Sequence, residues 1–83
     1  MISLTLYSRP GCCLCDDMKA EIVQVHRDFP FTLEQIDISS DPALESRFGH
    51  EIPVLFVNGR KAFKHRLTAG ELRRRLAHES AGP

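Results

Sequence analysis

Three cysteines at positions 12, 13 and 15, and none elsewhere in 83 residues, set the first limit on this chain. A small domain that relies on disulfides spreads its cysteines along the sequence to staple long loops, and no such loop exists here. The fold must therefore come from an apolar core. A chain of this length buries only about 60% of the surface that its unfolded form exposes, so that core is modest and belongs to one domain, residues 1–83. The composition is that of a globular domain, 42% apolar and 27% charged, which argues against disorder.

The pattern along the chain reads β-α-β-α-β-β-α. Residues 2–7 alternate apolar and polar, as a strand does. Ser8-Arg9-Pro10-Gly11 is a turn. Leu14, Met18, Ile22 and Val25 then mark one apolar helix stripe between residues 13 and 27. A second alternating run covers 31–38. Asp41-Pro42 is an N-cap followed by Pro at the first helical position, opening a short helix that ends at Phe48 and closes on Gly49. Residues 53–57 form the most continuously apolar stretch, a buried strand. Asn58-Gly59 is a hairpin turn, with residues 60–64 returning antiparallel. Thr68 and Glu71 match a capping box, and Leu67, Leu72 and Leu76 would anchor the last helix. Residues 80–83 are expected to fray. Together these elements give an α/β fold with a four-stranded mixed sheet and three helices.

Cys12-x-x-Cys15 falls where the first strand gives way to the first helix. Three residues apart on one turn, two sulfurs can approach bonding distance. The unpaired N–H groups and positive end of the helix favour an anion at Cys12, and only the thiolate attacks a disulfide. Arg9, three residues upstream, adds a cation. Cys15, one turn further in, suits the second step of an exchange, while Cys13 reads as an incidental or backup thiol. Such a CxxC beside a βαβ pattern is a redox signal. The competing use of these side chains is to hold zinc, with His50 as a fourth ligand, or a cluster shared between two chains.

The segment Leu6-Tyr7-Ser8-Arg9-Pro10-Gly11-Cys12-x-Leu14-Cys15 resembles the active-site segment of small bacterial glutaredoxin-like proteins, within the thioredoxin fold. Ile52-Pro53-Val54-Leu55-Phe56-Val57-Asn58-Gly59 is similar to the cis-proline segment and following hairpin of the same family. The resemblance spans residues 2–77. It implies a thioredoxin-like fold and a thiol–disulfide oxidoreductase with Cys12 as nucleophile and Cys15 as resolving cysteine. It also implies Pro53 as the cis-proline and Ile52 as the residue whose backbone meets a bound substrate. Arg9 matches a position where glutaredoxins often place Lys, there to meet a glutathione carboxylate. The chain departs from the family in having Glu51 where Thr is usual, Phe63-Lys64-His65 where Gly-Gly is common, and Leu14 where an aromatic is usual.

The expected partners follow from this. They are a disulfide-bearing protein or glutathione as co-substrate, and a reductase to regenerate the dithiol, with no bound cofactor and no metal. The alternative is a non-enzymatic binding module on the same fold, its cysteines holding a metal or an iron–sulfur cluster. No apolar run approaches the ~20 residues of a membrane span, and residues 2–6 begin a strand rather than a signal peptide. A cytoplasmic protein without a membrane partner is expected. Charge is uneven: residues 1–59 carry four basic and nine acidic side chains, residues 60–83 seven and two. Arg73, Arg74 and Arg75 cannot share one helix face, so the basic end reads as a solvated surface rather than a nucleic-acid site.

Overall fold

The computed structural model describes residues 2–81. Its elements are β1 (Ile2–Ser8), α1 (Cys13–His26), β2 (Phe31–Asp37), α2 (Pro42–Phe48), β3 (Val54–Val57), β4 (Arg60–Lys64) and α3 (Ala69–Ala81). The order is the one read from the sequence. The four strands form one sheet ordered β2-β1-β3-β4. β1 runs parallel to β2, from Ile2 opposite Phe31 to Ser8 opposite Asp37. It runs antiparallel to β3, with Tyr7 opposite Val54, and β3 pairs antiparallel with β4, with Val54 opposite Lys64. This register brings the ends of β1, β2 and β4 and the start of β3 to one edge of the sheet.

Strand alternation sorts the core into two layers. Leu4, Leu6, Leu55 and Val57 face α1 and α3, where Met18, Ile22, Val25, Leu72 and Leu76 complete the larger cluster. Each fully buried Leu or Ile there contributes roughly 1.5–3 kcal/mol of transfer free energy. The opposite face is smaller and aromatic. Tyr7, Val54 and Phe56 meet Ile38, Leu44 and Phe48 of the α2 side, with the Tyr7 and Phe48 rings stacked at 4.6 Å between centroids.

Local signals explain most element ends. The Asp41 carboxylate accepts the Ala43 N–H at 2.9 Å, ahead of Pro42 at the helix start. Asn58 and Gly59 take φ of 51° and 81°, the backbone that a two-residue hairpin needs. Thr68 Oγ1 accepts the Glu71 N–H while the Glu71 carboxylate accepts the Thr68 N–H, both at 3.1 Å.

Four details differ from the sequence reading. The α1 stripe is Cys15, Met18, Ile22 and Val25; Leu14 is 36% exposed. β2 stops at Asp37, whose carboxylate caps a single 3-10 turn, Ile38–Ser40, by accepting the Ser39 N–H. That turn drops Ile38 into the aromatic layer. Gly49 closes α2 in right-handed geometry, φ −54°, so its value is lack of bulk rather than a left-handed cap. α3 continues to Ala81; of the end expected to fray, residues 82 and 83 lie outside the described residues.

Candidate active site

At the shared edge of the sheet, β1 hands the chain to α1 through a turn in which Gly11 takes φ 80°, a backbone that disfavours side chains. The Cys12 N–H closes this turn on the Arg9 carbonyl at 3.3 Å. Cys12 itself is the N-cap of α1, with extended backbone, and its Sγ accepts the Cys15 N–H at 3.2 Å. A sulfur thus takes the place that Ser or Asp fills in an ordinary cap. An anion at that sulfur faces the unpaired N–H groups and positive end of a 14-residue helix.

The three thiols stand in different surroundings. Cys12 is partly exposed, Cys13 exposed and Cys15 buried. Burial pushes the Cys15 thiol up from 9.0 to about 11, helped by its hydrogen bond with Cys12 and by the charges of Cys12 and Asp16, while a backbone hydrogen bond with Arg9 opposes the rise. A cavity of about 270 Å³ reaches Cys15 from the β2 side, past Ser8, Gln35 and Asp37. Gln35 donates to Ser8 Oγ at 3.1 Å, satisfying that otherwise buried hydroxyl. On the other side a groove of about 620 Å³ runs beside Leu14, between α1 and residues 65–68.

Ile52 and Pro53 lie at the same edge. Their peptide bond is cis, Pro53 is buried, and β3 begins at the next residue, opposite Tyr7. The Pro53 carbonyl accepts the His65 N–H at 2.8 Å, which ties the cis-proline segment to the link between β4 and α3. His65 adopts φ 69°, a left-handed backbone that glycine takes at least cost. Where the resemblance implies Gly-Gly, this chain has side chains, yet the backbone at His65 takes a conformation suited to glycine. Glu51, in the place of the usual Thr, is held by Lys61 and lies 3.9 Å from Lys64 Nζ. The Lys61 hydrogen bond keeps its carboxyl below the usual range.

Arg9 stands in the turn before Cys12, but its guanidinium is paired with Glu45 of α2. Glu45 is the site residue that sequence reasoning missed. It lies 36 positions away, and no local spacing links the two. The predicted residues therefore gather at one edge, Cys12 and Cys15 in hydrogen-bond contact and Ile52-Pro53 just ahead of β3. His50 lies exposed in the turn after α2. Among the described residues no group of three or more His, Cys, Asp or Glu side chains is placed to hold a metal ion. None of the described helices is long and apolar enough to cross a membrane.

Comparisons with known proteins agree with this architecture. Residues 3–77 match the family described as Glutaredoxin-like domain (DUF836). A glutaredoxin-like protein of Dictyostelium discoideum is 35% identical over 77 residues, covering 86% of this chain and 71% of that protein. Among solved structures, one from X. campestris is 37% identical and superposes with a TM-score of 0.73, covering 96% of this chain and 99% of the other. Chloroplastic thioredoxin z, 15% identical, superposes at 0.81 over 99% of this chain and 80% of its own, a likeness of fold alone. The fold is thioredoxin-like, and the chain belongs to the glutaredoxin-like domain family.

Proposed function

We propose that this protein is a thiol–disulfide oxidoreductase that works through Cys12 and Cys15. The observation that carries the reading is a partly exposed N-cap sulfur that accepts the backbone N–H of Cys15, whose own thiol is buried one turn behind it. The Cys12 thiolate attacks one sulfur of a substrate disulfide; a new S–S bond forms to Cys12 and the other substrate sulfur leaves as a thiolate, taking a proton from solvent. Cys15 then attacks Cys12, its proton passing to solvent or to the departing sulfur. The second substrate thiol is released and a Cys12–Cys15 disulfide remains. The substrate has gained two electrons and two protons, and two external thiols, oxidised to a disulfide, supply the same number to restore the Cys12–Cys15 dithiol.

The family relationship supports the same chemistry, since its members are described as glutaredoxin-like. Ile52 and Pro53 supply a backbone edge for the substrate chain beside Cys12, and the groove along Leu14 gives it room to continue. Disulfide-bearing proteins and glutathione are the proposed substrates. The test is single-turnover reduction of a small disulfide by the reduced protein. Cys12→Ser should lose at least roughly a hundredfold in rate, because it removes the attacking atom. Wild-type rates in that variant would overturn the assignment.

A further inference from the structure

The pairing of Arg9 with Glu45 bears on which disulfides the site accepts. Arg9 lines the cavity that reaches Cys15, together with Asp16 and Asp37, so its charge bears on a substrate entering there. Its guanidinium is held by Glu45, a residue of the helix on the opposite face of the sheet from α1, with both side chains only part-buried. The pair has a built slot. A Cβ at position 49 would stand 2.5 Å from the Glu45 carbonyl oxygen, 3.2 Å from Glu45 Oε1 and 3.6 Å from Arg9 Nη2. Glycine thus lets the turn after α2 come close against the ion pair. A second carboxylate, Asp37, lines the same cavity as Arg9, and the Arg9 charge is one of the influences holding that carboxyl down, after its hydrogen bonds with Ser39.

We infer that Glu45 is a positioning residue for substrate charge. It neutralises Arg9 and turns the site away from anionic disulfides, glutathione disulfide among them, in favour of disulfides without a nearby carboxylate. An anionic substrate must displace Glu45 and approach Asp37 before it gains the guanidinium; an uncharged one meets neither cost. The inference rests on the exchange reading above. A partly exposed ion pair is worth little, so removing Glu45 should raise the preference for an anionic substrate roughly two- to five-fold.

The experiment oxidises reduced protein with glutathione disulfide, which is anionic, and with hydroxyethyl disulfide, which is not. In each case the substrate S–S bond breaks, the Cys12–Cys15 bond forms and two thiols leave. The quantity read is the ratio of the two rate constants. Glu45→Gln should raise that ratio roughly two- to five-fold, through tighter saturation by glutathione disulfide rather than a faster limiting rate. The gain should shrink in high salt, vanish when Arg9→Gln is added, and be absent in Glu45→Asp, which keeps the charge. Arg9→Gln alone should lower the ratio roughly two- to five-fold, because it leaves the Glu45 carboxylate unpaired beside Asp37. An unchanged ratio in Glu45→Gln overturns the inference, as does a gain that persists when Arg9→Gln is added. If wild-type protein is oxidised by neither disulfide, the exchange reading itself fails with it.

Discussion

Cys12 and Cys15 stand one helical turn apart, yet one caps α1 at a partly open rim while the other is 3% exposed beneath it. Cys12 meets the Cys15 N–H and the positive end of the helix. Cys15 is buried along the same stripe of α1 as Met18, Ile22 and Val25. One short motif thus sets two thiols in opposite surroundings, which the proposed exchange would use in turn. The rim sulfur is open to solvent, and burial holds the thiol beneath it in its protonated form at neutral pH. Cys13, exposed and off the buried stripe, takes neither place.

The largest expected break in this comparison comes from Cys15→Ser. With the buried thiol gone, the first exchange still proceeds but its product has no internal exit. A stable mixed disulfide on Cys12 should accumulate, visible by intact mass, and turnover through a dithiol should stop. Normal release of product by that variant would mean that Cys15 does not resolve the intermediate.

A smaller effect sharpens the contrast through stability. In the unfolded chain the Cys15 thiol ionises near its ordinary 9.0, whereas in the reduced fold burial holds it to about 11. The unfolded state therefore loses its proton first as pH rises. This contribution to stability is complete below pH 9 and disappears as pH rises from 9 to 11, by an amount on the order of 2 kcal/mol. Denaturant unfolding of reduced wild-type protein should show that decline, and Cys15→Ala should show a shallower one. Equal slopes would place Cys15 in surroundings as wet as those of Cys12.

Much of this was legible in the sequence because the signals are local. Asp41-Pro42, Asn58-Gly59 and Thr68…Glu71 each fix one element boundary within four residues. The CxxC and cis-proline segments mark the site from two sides, and register then brings them to one edge. What stayed hidden has specific reasons. The period of α1 was plain, but its phase was not: Leu14 and Cys15 both fit a stripe ending in Met18, Ile22 and Val25. The chemistry of Cys15 also masked its role as a core residue. Ile38 fits an alternating strand equally well, and only the Asp37 cap turns it away. The Arg9–Glu45 pair depends on how α2 lies across the sheet, which no spacing in the chain encodes. His65 enters a left-handed backbone without the glycine that would announce it.

The most direct test of the central claim is a glutathione redox titration of the purified, reduced protein, read by intact mass and peptide mapping. The account predicts a reversible loss of two hydrogens, mapped to a disulfide between Cys12 and Cys15, with Cys13 left as a thiol. Three thiols that stay reduced across the buffer range, or a bond that maps to Cys13, would contradict it.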